Sequence, residues 1–177
     1  MATGARWSDN DPEIVVKPHG LYLQRWLRAT RDREGQAQRI DTFNEYDLSL
    51  PGVFVMRFRI YPHGAEALDR AAEPLPEVLY EGCEQQAVTP LSAGRSRYFY
   101  ATGSHSRFGD AEMLASSFGG LNAAFLEDRV MIELQQKNFL PGRRMVFIPQ
   151  DKAPAMFRKM IADRIAAERT SLQGKEA

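Results

Sequence analysis

The sequence has a single cysteine, Cys83, in 177 residues. One cysteine excludes an intrachain disulfide, and it excludes any paired-cysteine metal or iron–sulfur site built from this chain alone. It fits a reducing, cytoplasmic setting. Histidine is scarce as well: His19, His63 and His105 are the three present, and no two are spaced as a ligand pair. No run approaches the roughly 20 apolar residues that a membrane-spanning helix needs. The opening segment, Met1 to Asp9, has no apolar core of the kind an export signal carries. There is no excess of charge, with 23 Lys and Arg against 23 Asp and Glu. A neutral balance argues against a nucleic-acid binder, which shows a basic footprint, and against electrostatic docking on anionic membranes. No internal repeat appears at solenoid periods.

What is present reads as strands followed by helices. Residues 1–12 are small and polar and end in Asp9-Asn10-Asp11-Pro12, a frayed start or turn. The main domain is expected over residues 13–170, with a polar tail at 171–177. Leu21, Leu23, Trp26 and Leu27 suggest a strand or strand pair, and the charged stretch Thr30 to Gly35 reads as a loop. Arg39 to Leu50 alternates loosely before the turn signal Pro51-Gly52. Val53 to Tyr61 alternates cleanly, with Phe54, Met56, Phe58 and Ile60 on one face, the mark of a half-buried strand. Residues 62–78 read as a long loop. Tyr80 to Pro90 and the aromatic stretch Arg95 to Ser104 read as a hairpin turning at Ser92-Ala93-Gly94. From Ala111 to Lys137 the chain is rich in helix formers, interrupted only by Gly119-Gly120, and Pro141-Gly142 closes that region. Asp151 is a plausible N-cap, with Pro154 in the first turn. Phe157, Ile161 and Ile165 then recur at four-residue spacing, as in an amphipathic closing helix. This order predicts an α+β fold with helices packed on an antiparallel sheet.

One residue breaks its surroundings. Leu121, Phe125, Asp128, Ile132 and Gln135 share one face of the long helix. Leu126, Val130 and Leu134 make the rest apolar too, so the helix is expected to be covered on more than one side. Its solvated stripe is expected to carry a Glu133–Lys137 ion pair. Asp128 is then a carboxylate in an apolar face, which requires a partner. Two alternatives stand: a salt bridge to a strand arginine such as Arg57, Arg59, Arg95 or Arg97, or ligation of a metal ion.

The segment Ala124-Phe125-Leu126-Glu127-Asp128-Arg129-Val130-Met131-Ile132-Glu133-Leu134-Gln135-Gln136 resembles the late helix of the oxygenase component of Rieske non-haem iron oxygenases, in the vanillate O-demethylase and dicamba monooxygenase branch. Asn44 to Met56 is similar to that family's mid-domain strand pair. Gln86-Ala87-Val88-Thr89-Pro90 with Arg97-Tyr98-Phe99-Tyr100 is similar to its next hairpin, and Asp151 to Glu168 to its closing helix. The resemblance implies a helix-grip (START-like) fold, in which a curved antiparallel sheet wraps a long C-terminal helix around a pocket for an aromatic substrate. It implies that Asp128 is the carboxylate of a two-histidine, one-carboxylate ferrous iron site. It also implies hydroxylation or O-demethylation of an aromatic compound, with electrons from a Rieske-bearing chain fed by a reductase, and a trimer-like homo-oligomer. Gln86, Phe118, Asn122 and Phe125 are the substrate-facing candidates. For Phe118 and Phe125 the competing role is core packing, and for Asn122 it is capping of a helix break at Gly119-Gly120.

The sequence departs from the family in one respect. The family's Asp-x-x-His-x-x-x-x-His ligand pattern is not found in this chain, nor are the Cys-x-His and Cys-x-x-His pairs of a Rieske cluster. Three explanations are open: a truncated product, one half of a split oxygenase, or a metal-free helix-grip module that binds a small apolar or aromatic ligand.

Overall fold

The computed structural model describes residues 12–31, 39–138 and 146–173. Six strands form one antiparallel sheet in which spatial order follows chain order: β1 (Glu13–Lys17), β2 (Gly20–Arg31), β3 (Arg39–Ser49), β4 (Val53–Pro62), β5 (Tyr80–Ser92) and β6 (Arg95–Ser104). Three helices accompany it: α1 (Ala65–Arg70), α2 (Ala111–Lys137) and α3 (Lys152–Gln173). The architecture is α+β, a curved open sheet with long helices of the helix-grip type. No described helix is long and apolar enough to cross a membrane.

The strand alternation decides where the helices sit. Residues directly opposite across antiparallel strands project from the same face. One such row is Leu21–Leu48–Phe54–Gln86–Tyr100, and the next is Leu23–Tyr46–Met56–Glu84–Thr102. At the β2 end of this face, Ala153, Met156, Phe157 and Met160 of α3 pack against Leu21, Leu23, Tyr46 and Leu48. At the other end, α2 lies along β6 through Phe118 and Phe125, which meet Tyr98 and Tyr100. Phe54 and Met56 lie on the same face between the two helices, half-buried.

The opposite face is largely a polar lattice. The Tyr22 hydroxyl donates to Glu45 at 2.7 Å. Arg59 binds Glu45 at 3.0 Å and Glu81 at 3.4 Å. At one end of that face Trp26, Phe43 and Tyr61 form a second small core under Ala65 of α1, and the Trp26 indole donates to Asp69 at 2.8 Å.

Several expectations are corrected. Residues 62–78 are not a continuous loop, because Ala65–Arg70 form α1. Its run Ala-Glu-Ala-Leu-Asp-Arg is rich in helix formers, and the turn is fixed from outside by Asp41, whose Oδ2 accepts from the backbone N–H of Gly64 at 2.8 Å and of Glu66 at 3.3 Å. The expected loop from Thr30 begins too early, since β2 runs on to Arg31, with an irregular register between Leu27 and Thr30. α3 runs to Gln173. The turns at Asp9–Pro12 and Pro141-Gly142 fall wholly or almost wholly outside the described residues.

The Gly119-Gly120 break does not exist: α2 is continuous over 27 residues. Propagating a helix through two glycines costs less than renucleating it, and Phe118 and Asn122 on either side are held by β6. A methyl group at Gly119 or Gly120 would meet no neighbouring atom within 4 Å. Gly119→Ala and Gly120→Ala should therefore each stabilise the protein by about 0.5–1 kcal/mol. Urea unfolding of the two variants tests this, and a loss of stability in either would show that the helix needs a glycine there.

Candidate functional site

The site is built where α2 meets β6. Alternation along β6 turns Tyr98 and Tyr100 to the face that carries Gln86, because Gln86 and Tyr100 are direct cross-strand partners. On α2, Phe118, Asn122 and Phe125 follow one another at offsets of four and three, so they share a stripe. That stripe lies on Tyr100. Phe118 stacks on the Tyr100 ring at 5.8 Å between centroids, with an interplanar angle of 21°. Phe125 meets Tyr100 edge-on at 4.7 Å and Tyr98 at 5.3 Å. The Tyr100 hydroxyl donates to Asn122 Oδ1. Phe118, Asn122 and Phe125 thus meet at Tyr100, and Gln86 stands beside it as its cross-strand partner. Asn122 does not cap a helix break, since its amide is held by Tyr100.

Sequence reasoning missed Tyr98 and Tyr100 as site residues. The signal was available: alternation in Arg95 to Ser104 sets both tyrosines on one face, and hairpin pairing with the Gln86 strand makes that face the one with Gln86. What the sequence could not show is that α2 would lie over this strand.

Asp128 is one turn beyond Phe125 on the same stripe. The expectation of a buried carboxylate is corrected, for Asp128 is exposed. No residue of α2 is buried; Leu121 and Phe125 are half-buried, and Leu126, Val130, Ile132 and Leu134 lie open, from Leu134 at 49% exposure to Ile132 at 63%. The helix meets β6 through Phe118, Asn122 and Phe125, and the apolar residues of its C-terminal half lie exposed. Asp128 forms no salt bridge among the described residues. Arg59 is committed to Glu45 and Glu81, and none of Arg57, Arg95 and Arg97 reaches Asp128. The expected Glu133–Lys137 pair is also replaced: Glu133 binds Arg129 at 2.7 Å.

The Asp128 carboxylate acts on Tyr98. The Tyr98 phenol is pushed up from 10.0 to about 12, first by burial and then by the Asp128 carboxylate. On the opposite face Tyr22 is also raised to about 12, by burial and by its bond to Glu45. The folded chain thus holds these phenolic protons after the unfolded chain has lost them. Their contribution to stability is whole below pH 10 and disappears as the pH rises through about 12. The Tyr98 share is small, because 41% of that residue stays exposed and solvent screens the charge. Unfolding midpoints measured across this alkaline window should fall less for Tyr22→Phe and Tyr98→Phe than for the wild type. Equal falls would show that neither phenol is perturbed.

Glu84, in the neighbouring row of the same face, adds to the rise of the Tyr98 phenol, whereas the three histidines lie elsewhere. His63 is exposed beside buried Asp41 at 3.1 Å, His19 lies 3.3 Å from Arg164, and His105 accepts from the Arg107 backbone at 3.2 Å. Among the described residues no three His, Cys, Asp or Glu side chains are grouped as metal ligands. Asp128 stands as one exposed carboxylate beside an aromatic wall.

Comparison with curated proteins returns no match. Comparison with protein families matches residues 1–167 to the vanillate O-demethylase oxygenase C-terminal domain. The match takes in the whole sheet, α2 with its aromatic stripe, and most of α3. The chain belongs to this family, and it is a C-terminal domain of the Rieske-oxygenase type.

Proposed function

We propose that this chain forms the substrate-facing part of the catalytic domain of a Rieske-type oxygenase that hydroxylates or O-demethylates an aromatic compound. The observation that carries the reading is the aromatic wall of Tyr98, Tyr100, Phe118 and Phe125 one helical turn from an exposed, unbridged Asp128, in a chain whose family match spans residues 1–167.

The residues suit this role in their chemistry. Phe118 and Phe125 offer flat apolar surface that a substrate ring would cover by offset or edge-on packing, at about 0.5–1.5 kcal/mol per ring pair beyond area burial. Gln86 is the cross-strand partner of Tyr100 and Asn122 accepts from its hydroxyl, and each amide can orient an oxygen-bearing substituent by hydrogen bonding. The ferrous iron of the family would take its carboxylate from Asp128 and its two histidines from residues other than those described. When bound, the iron supplies the oxygen chemistry. The Rieske centre and the reductase belong to partner domains. The chain's own part is to seat the ring, exclude water from it and present the carboxylate.

The test is oxygen consumption with vanillate by the assembled oxygenase, with this chain, a Rieske-bearing domain and a reductase present. Phe125→Ala should lower kcat/KM about tenfold or more, because it removes the ring that links Tyr98 to Tyr100. Substrate-dependent oxygen uptake that Phe125→Ala leaves unchanged would place the pocket elsewhere. Tight binding of aromatic ligands by the chain alone, with no iron-dependent turnover in the assembly, would instead make it a metal-free binding module.

A further inference from the structure

The sheet ends at β1, and no strand lies on its far side among the described residues. Such an edge presents a row of backbone donors and acceptors that can template another strand. An edge guarded by one sign of charge repels its own copy. β1 reads Glu13-Ile14-Val15-Val16-Lys17, with an acid at one end, a base at the other and an apolar middle. Val15 is 44% exposed and Val16 59%.

Turned antiparallel about Val15, this strand is complementary to itself. Glu13 comes opposite Lys17 of the second copy, Ile14 opposite its Val16, and Val15 opposite its Val15. Glu13, Val15 and Lys17 alternate onto one face, the face of Tyr22 and Gln24, so both charge pairs form on that face. Directly opposed unlike charges stabilise a strand pair, and like charges oppose it. Neither group is used up within the chain. Lys17 lies 3.1 Å from Asp47 with 45% of its side chain exposed. Glu13 is exposed and accepts from Gln24 at 2.6 Å, and a carboxylate has acceptor capacity to spare.

We infer that β1 is a self-association edge: it pairs antiparallel with β1 of a second copy about a twofold axis at Val15, sealed by two Glu13–Lys17 pairs. The contact is isologous and closes at two copies. It joins six strands from each copy into one sheet and leaves the two α2–β6 sites at the far edges. It does not depend on the function proposed for those sites. The strands are five residues long, so the dimer is expected to be weak, with an interface below about 1,200 Å².

Sedimentation equilibrium of the full chain tests this, at low salt, where exposed charges are least screened. The mean mass should rise with concentration from 20.0 kDa toward twice that value. Glu13→Lys and Lys17→Glu each set like charges face to face at both positions, and each should weaken self-association about tenfold. Mixed in equal amounts, the two variants present opposite charges to each other at both positions. Association of the mixture should return to within about twofold of the wild type, and that recovery also shows that both variants are folded. A wild type that stays at 20.0 kDa up to millimolar concentration overturns the inference. Self-association that neither variant weakens overturns it too, because the contact then lies elsewhere, and so does a mixture that associates no better than its components.

Discussion

Asp41→Ala is expected to destabilise the protein by about 3 kcal/mol, because one buried and one half-buried backbone donor are left unpaired at roughly 1–3 kcal/mol each. Asp41 is 1% exposed. One of its oxygens accepts from Gly64 and Glu66 N–H, and the other lies 3.1 Å from His63 Nδ1. These bonds fix the tight entry into α1, where Gly64 adopts a left-handed φ of 101°. α1 in turn places Ala65 over Trp26 and Tyr61, so the loss reaches the second core. Asp41→Asn keeps an acceptor and should cost less than half as much. Urea unfolding followed by tryptophan fluorescence reads both, because Trp26 sits in the affected cluster. A loss under about 1 kcal/mol for Asp41→Ala would show that apolar packing alone holds the turn.

Asp128→Ala should behave in the opposite way. Asp128 is exposed and forms no salt bridge among the described residues, so the change should leave stability within about 0.5 kcal/mol. Turnover of the assembled oxygenase should fall by more than about 100-fold. Disturbing a group one step removed from a metal already costs roughly 10–100-fold, and removing a ligand costs more. The contrast is diagnostic: a structural ion-pair residue would lose stability first, whereas a ligand loses activity without loss of fold. Thermal unfolding and oxygen uptake on the same preparation separate the two.

The strands were legible because period-two alternation is local. Arg95–Ser104 and Ala111–Lys137 have the bounds read from composition and turn residues alone. Phe54, Met56 and Phe58 share the face that the alternation predicts. α1 was not legible, for its six residues are too few to show a helical period and their turn is fixed by Asp41, more than twenty residues earlier in the chain. The glycine pair misled for a related reason, since glycine propensity is local and the packing of Phe118 and Asn122 on β6 is not.

The candidate site was half legible. Phe118, Asn122 and Phe125 could be placed on one stripe from their spacing, and Gln86 came from the family resemblance. Tyr98 and Tyr100 needed knowledge of which strand the helix lies on. The burial of Asp128 was misread because an apolar helix was taken to be a covered one. Leu126, Val130, Met131 and Ile132 are apolar and exposed, so composition gave their chemistry but not their surroundings.

Iron content of the assembled catalytic domain is the most direct test of the role given to Asp128. Wild type and Asp128→Ala are prepared anaerobically with their partner domains, loaded with ferrous iron, and freed of excess metal. Non-Rieske iron is then measured beside the melting temperature. Retention of iron by the wild type, and its loss from an Asp128→Ala variant that melts at the same temperature, is the predicted result. Iron held equally by both proteins would contradict it, and would return Asp128 to the role of an ordinary surface carboxylate.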